Sequence, residues 1–345
     1  MEPIFKDLKV LELASVLAGP SVGQFFAELG AEVIKVENLK SGGDVTRTWK
    51  IGGEKEGDLS DYFCSCNWGK KSVAVDLSSI KGREIVQRLA AKSDIVIASY
   101  KPGDAKKLGV AYEQLITNNP QLIYGQISGY GSDNDRVGYD AVIQAEAGFM
   151  DLNGEMEGPP TKMPVALIDI LAGHQLKEGL LLALLKRDRT GEGSLVEVSL
   201  IQTAISSLAN QATNWLTTGK IPTRKGSAHP NIAPYGESFI TKDGKRILLA
   251  IGSDRQFEDL VQVLGIRHEA LGSKFLTNPL RVENRPELSL LLEERMAKMD
   301  SIFFLEKANH KKIPAGVIQN LQEAFEMKEA KELLITQNGL RGVES

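Results

Sequence analysis

Cysteine is almost absent from this chain: there are two in 345 residues, Cys64 and Cys66, one residue apart. Two such thiols cannot staple a fold of this size, and no further cysteine completes a metal site. They read as reduced thiols, and no metal is expected. Charge of one sign is also scarce. Lys and Arg number 41 against 45 Asp and Glu, a net charge of −4. No global field therefore draws the chain onto nucleic acid or anionic lipid, and a phosphate-bearing ligand needs a local basic cluster. The longest strongly apolar run, Gly179 to Leu185, is too short to span a bilayer. The first residues, Met1 to Asp7, lack the basic start and apolar stretch of a signal peptide. Internal repeats and low-complexity tracts are missing. These absences lead us to expect a cytoplasmic chain with neither nucleic acid nor membrane as partner.

What is present is an ordinary globular composition, 42% apolar and 25% charged, at a length that predicts two domains. Lys9–Leu13 reads as a buried strand, Ser21–Leu29 as a helix stopped by Gly30, and Glu32–Val36 as the next strand. The pattern recurs: strand Ser72–Leu77, helix Lys81–Lys92, strand Asp94–Ala98, then strand Gln121–Ile127. Such alternation predicts a doubly wound α/β domain. Ile168–Arg187 reads as a long buried helix and Leu195–Leu200 as a strand. Pro222, Gly226, His229-Pro230 and Pro234 crowd together and mark a crossing segment. Beyond it, Glu237–Thr241 and Arg246–Ile251 flank Lys242-Asp243-Gly244-Lys245 as a hairpin. The expected organisation is a large Rossmann-like domain, 1–205, completed by 313–345. A linker, 206–234, then leads to a small inserted α/β domain, 235–312.

The first turn invites a dinucleotide reading, with Glu37 on the ribose. The turn is Ala18-Gly19-Pro20-Ser21-Val22-Gly23, not G-x-G-x-x-G. The glycine that lets the backbone approach a pyrophosphate is missing, and Pro20 removes a donor from the helix N-terminus. NAD binding is not expected. A second feature is Asp169, inside Pro164-Val165-Ala166-Leu167-Ile168-Asp169-Ile170-Leu171-Ala172-Gly173. A carboxylate in such a run is costly to bury unpaired. On the residues alone it reads as a helix N-cap or as a functional carboxylate.

Several segments, in order and at matching spacing, carry a resemblance. They are Val10–Leu13, Ala18-Gly19-Pro20, Leu29–Glu37, Gly42–Arg47 and Asn67–Leu77, with Trp68 where arginine is usual. They continue with Gly129-Tyr130-Gly131, Gly138-Tyr139-Asp140, Gln144-Ala145, Thr190–Gly193, Val196–Leu200 and His229–Tyr235. Over nearly its whole length the chain resembles the class III CoA-transferase family, which also contains acyl-CoA racemases.

The resemblance implies that Asp169 is the nucleophile that carries CoA between carboxylic acids, with Tyr139 and Gln144 as catalytic neighbours. A coenzyme A thioester is then substrate, and no tightly bound cofactor is expected. The partners are an acyl-CoA and a small carboxylic acid. Ser15, Val16, Leu17 and Ala18 would line the pantetheine channel. Ser99, Tyr100, Lys101, Lys106, Lys107 and Leu108 would border the adenosine end, with Gly129 nearby. Asn38 replaces a usual arginine. The family's glycine loop has only Gly226-Ser227-Ala228-His229 as counterpart. Racemases place histidine where this chain has Tyr139, and a phenol titrating near ~10 is a poor neutral-pH base. A racemase and a non-catalytic CoA-binding protein are thus the alternatives to a transferase. His174, on the Asp169 helix, is expected to pack. The resemblance also implies an interlocked homodimer and a short C-terminal tail.

Overall fold

The computed structural model describes residues 3–54, 59–266, 272–337 and 340–344. The chain divides into two compact units: Met1–Met150, Lys162–Pro222 and Leu333–Ser345 form the first, Asp151–Thr161 and Thr223–Glu332 the second.

The first unit is built on six parallel strands: β1 (Lys9–Leu13), β2 (Glu32–Asn38), β3 (Lys71–Val75), β4 (Ile95–Ala98), β5 (Ile123–Ser128) and β6 (Ser194–Ser199). Their order, β3-β2-β1-β4-β5-β6, is that of a doubly wound sheet, as expected. Alternation along each strand feeds two cores. Val10, Ile95, Ile97 and Ile123 face one, with Val22 and Phe26 of α1 (Ala18–Glu28). Leu11, Val96, Ala98 and Tyr124 face the other, with Val86 and Ala90 of α2 (Ile80–Ala90). A strand buried on both faces reads as a continuous apolar run, which is why these segments were legible. Helices α3 (Asp140–Glu146) and α4 (Leu167–Thr190) follow. Helix α4 packs close on α1 at Gly173, where a Cβ would lie 2.5 Å from the Ser21 Oγ and 3.2 Å from the Ala18 carbonyl.

This apolar sheet holds a chain of buried charges. Glu12 and Lys35 are register partners on β1 and β2. The Lys35 Nζ lies 2.8 Å from the Glu12 Oε1 and 2.9 Å from the Asp44 Oδ2, and donates to the Ala14 carbonyl. The Lys70 Nζ lies 2.7 Å from the other Glu12 oxygen and donates to the Pro20 and Cys66 carbonyls. Burial alone would push the Lys35 pKa down, but the Glu12 and Asp44 charges outweigh it and hold the ammonium above its ordinary value. Glu37 is committed in the same way. It accepts from Arg47, from Ser72 and, at 2.7 Å, from the Asp44 N–H. Burial opposes its charge, yet these donors hold its pKa down at about 2. Both Glu37 oxygens are thus engaged by the protein's own donors.

Helices α5 (Leu200–Ser206) and α6 (Ala209–Thr218) complete the run of the first unit before the chain enters the second. There β7 (Tyr235–Ile240), β8 (Arg246–Ala250) and β9 (Ala315–Val317) form an antiparallel sheet. It shares a core with α7 (Asp254–Val263), α8 (Arg285–Met296) and α9 (Ser301–His310). Arg281 is fully buried. Its guanidinium donates to the Ala233 and Phe275 carbonyls, pairs with Asp254 and stacks on Phe257. The units divide at residues other than those expected. Residues 206–222 fall with the first unit, and 313–332 with the second, because β9 pairs with β8. Only the hairpin β10 (Leu334–Gln337) and β11 (Leu340–Val343) belongs to the first.

The buried charges make a prediction. Lys35→Met leaves Glu12 and Asp44 facing each other without their shared cation. Loss of one member of a buried ion cluster costs about 3–5 kcal/mol. Urea unfolding should register this loss; a change within 1 kcal/mol, as an order of magnitude for a surface pair, would show that the cluster is dispensable.

Candidate active site

In doubly wound sheets the ligand crevice lies beyond the strand C-termini, where strand order reverses. Here that point is between β1 and β4. Two cavities, of about 490 and 210 Å³, meet there and share Ser15, Ser99 and Tyr100. The larger runs across the ends of β1 to β4 and takes in Asn38, Lys40 and Leu108. The smaller takes in Val16, Leu17, Ala18, Lys101, Gly129, Tyr139 and Asp169. Residues far apart in sequence thus line one continuous crevice.

Its wall is strained at Val16, whose φ of +73° lies in the left-handed region that β-branched residues avoid. The surroundings hold it there. The Val16 N–H points to the Asp44 carboxylate at 3.3 Å, and its carbonyl lies 3.3 Å from the Cys66 Sγ. Asp44 also accepts from the Thr46 N–H and hydroxyl. The charge chain of the sheet therefore ends on the backbone that lines the crevice.

Asp169 lies in the first turn of α4. The N-cap is Ala166, so the capping role weighed for Asp169 is not what the structure shows. Asp140 supplies the missing cap from α3: its Oδ1 accepts the Ile168 N–H at 2.7 Å and lies 3.4 Å from the Asp169 nitrogen. The Asp169 side chain is 8% exposed and makes no hydrogen bond or ion pair among the described residues. Burial, then the Asp140 charge, push its pKa up to about 7. The close neighbour is placed by two glycines. A Cβ on Gly129 would lie 2.7 Å from the Gly138 Cα, and one on Gly138 2.5 Å from the Gly129 Cα. Only glycine at both positions lets Gly138-Tyr139-Asp140 close on the end of β5.

Tyr139 precedes α3 and is 58% exposed in the smaller cavity. Gln144 stands elsewhere. It is fully buried behind Asp140, donating to its Oδ2 at 2.6 Å and accepting the Met163 N–H at 2.8 Å. It braces Asp140 and does not line the crevice. Lys106 and Lys107 are exposed outside both cavities, and Lys107 pairs with Asp104. Lys40 is the basic residue in the larger cavity, two positions beyond Asn38 and 3.2 Å from Asp76. The sequence reading missed Lys40, Asp44 and the cap made by Asp140. His174, expected to pack, is exposed. Gly226–His229 belongs to the second unit, where the His229 N–H donates to the Tyr235 carbonyl. Among the described residues no cluster of His, Cys, Asp and Glu is placed to hold a metal, and no helix is long and apolar enough to cross a membrane.

A doubly wound unit with one buried, unbonded carboxylate at the end of a long crevice defines an enzyme of the α/β class built around carboxylate chemistry. The chain belongs to CoA-transferase family III, whose model matches residues 5–339. It is 38% identical over 331 residues to the succinate–glutarate CoA-transferase of Agrobacterium fabrum, covering 94% of this chain and 82% of that protein. It is 36% identical over 323 residues to the human succinyl-CoA:glutarate CoA-transferase, covering 93% and 73%. Among solved structures it is similar to a CAIB/BAIF family protein from Brucella suis, at TM-score 0.86 and 41% identity, covering 100% of this chain and 92% of that one. The chain is a CoA-transferase.

The environment of Asp169 predicts a pH-dependent stability. Its pKa is about 7 folded and near 3.8 as an ordinary aspartate. Between these values the folded state keeps a proton that the unfolded state has released, so stability falls as pH rises through this window. Asp169→Asn does not titrate there. The variant should therefore melt above wild type at pH 8, and the gap should close as pH falls toward about 4. A gap independent of pH would show that the carboxylate is not held as described.

Proposed function

We propose that the chain moves CoA from an acyl-CoA to a carboxylic acid through two covalent intermediates on Asp169. The observation that carries this reading is the Asp169 carboxylate itself: buried, without a hydrogen-bonded partner, and in the wall of the crevice. A carboxylate oxygen attacks the thioester carbonyl, the C–S bond breaks, and CoA leaves as thiolate with an acyl–aspartyl anhydride behind it. The thiolate then attacks the aspartyl carbonyl of the anhydride. The C–O bond on that side breaks, the acyl group departs as carboxylate, and an aspartyl-CoA thioester remains. A second acid repeats these steps in reverse. Covalent catalysis divides one exchange into easier steps. Only a carboxylate nucleophile serves, because a serine or cysteine cannot hold CoA as a thioester.

The raised pKa suits this role. A more basic carboxylate is the better nucleophile, provided that pH exceeds about 7, where it is ionised. In this reading CoA lies along the crevice. Ser15 to Ala18 border the pantetheine arm, and Tyr100, Asn38 and Leu108 the adenosine end, with Lys40 in reach of its phosphates. The enzyme acts in the cytoplasm as an interlocked homodimer. Exposed Trp215 and Leu216 on α6 are consistent with a surface that a second copy covers.

Asp169→Asn keeps the shape and removes the nucleophile, so transfer should fall to background while the protein stays folded. Wild type quenched in acid after incubation with acyl-CoA should carry a CoA-sized mass on the Asp169 peptide, released by hydroxylamine. Its kcat/KM should rise with pH through about 7, as Asp169 ionises. An active Asn variant that has not deamidated would defeat the mechanism.

A further inference from the structure

Leu17 lines the Asp169 cavity and also a second one, of about 460 Å³, that the mechanism above does not use. One wall of this second cavity is α4, which presents Ile170, His174 and Lys177 at helical spacing. Tyr62 and Cys66 stand on another. Lys177 is 8% exposed, and its ammonium makes no hydrogen bond or ion pair among the described residues. The face of the Phe25 ring, 5.1 Å away, is its close contact. Burial pushes its pKa down and the Glu28 charge only partly opposes this. A buried ammonium in this state is expensive, and an anion brought beside it relieves the expense.

The cavity also lies within reach of the reacting carboxylate. Tyr62, in its wall, has its phenol pushed up to about 12 by burial and then by the Asp169 charge. Lys177 follows Asp169 by eight residues on one helix, about 12 Å along the axis. Side chains on a helix lean toward its N-terminus, so the lysine stem spans part of that distance. Eight residues also turn the helix by about 80°, so a ligand that joins the two groups passes Leu17, which lines both cavities.

We propose that this cavity receives the acyl chain and that Lys177 pairs with its far carboxylate, so that the acids exchanged are dicarboxylic. The inference rests on the transfer reading above and deepens it. Because the second half-reaction reverses the first, the donor's acyl group and the acceptor acid occupy this subsite in turn. Lys177 touches the end of the substrate remote from the chemistry and sets specificity.

The test compares glutarate with valerate, a chain of the same length without the second carboxylate, and with glutarate monomethyl ester. Wild type should prefer glutarate over both by about tenfold or more in kcat/KM, the range of a charged hydrogen bond. Lys177→Met should raise the KM for glutarate by a similar factor and leave valerate unchanged, and Lys177→Arg should restore the preference in part. With succinyl-CoA and acetyl-CoA as alternative donors, the variant should lose only the former. Equal loss on glutarate and valerate, or no wild-type preference over the ester, would overturn the inference while leaving transfer intact. Calorimetric titration of glutarate into the protein without acyl-CoA separates the two readings. If no acid is exchanged at all, glutarate binding that Lys177→Met weakens still supports the subsite, and equal binding overturns it. The ester comparison uses wild type alone and stands even if the Met variant fails to fold.

Discussion

The first unit depends on one buried cation, Lys35, held between Glu12 and Asp44. Glu12 and Lys35 face each other across β1 and β2, so a one-residue slip would part them and turn every side chain of the strand to the opposite core. The attraction adds little net stability once desolvation is counted. It acts as a register pin, and through Asp44 it reaches the crevice. Asp44 accepts the Val16 N–H and donates its own N–H to Glu37, which grips Arg47. The glycine-rich segment before Arg47, the strained loop at Val16 and the sheet are thereby one object. A crevice walled by a free loop would have to be ordered by a ligand; this one is ordered by the fold.

A second pattern emerges from which buried charges are satisfied. Glu12, Lys35, Glu37, Asp44 and Lys70 are all paired. Asp140 is buried too and spends its oxygens on the α4 N-terminus and Gln144. Among the described residues Asp169 and Lys177 are the exceptions, and both are on α4. An unpaired buried charge is tolerated when something outside the protein completes it. On the dicarboxylate proposal, α4 carries the two groups that meet the two ends of the acid, eight residues apart.

Much of this was legible in the sequence. The strands are continuous apolar runs, and their alternation with helices predicts a doubly wound domain, though not its strand order. Asp169 stood out because a carboxylate in an apolar run needs a reason. Ser15 to Ala18, Asn38, Ser99 to Lys101, Leu108, Gly129 and Tyr139 all line the crevice. The departures have separate causes. Lys106 and Lys107 were chosen for charge near a motif, and charge says nothing about which way a short helix faces. Gln144 lies one turn beyond Asp140 on α3, and only the fold shows that both its amide ends are taken from behind the site. Lys40 carries no motif of its own, and a lone lysine two residues past Asn38 reads as a solvated side chain until the fold turns it to the cavity. Lys177 was invisible, since a lone lysine in a helix normally faces water. The edges of the second unit escaped because β9 is three residues long and is recruited by pairing, not by its own pattern.

Cys66 gives the loop at Val16 a built-in clock. Its thiol lies against the Val16 carbonyl, is almost wholly buried, and has its pKa pushed up to about 11 by burial. As folded it shows almost no surface and is not ionised, so alkylation is slow until the wall around it moves. Its labelling rate therefore counts openings of the channel wall, while Cys64, which does not touch that carbonyl, serves as an internal reference for wider unfolding. A chain with two cysteines has placed one where its chemistry reports on the breathing of the crevice wall.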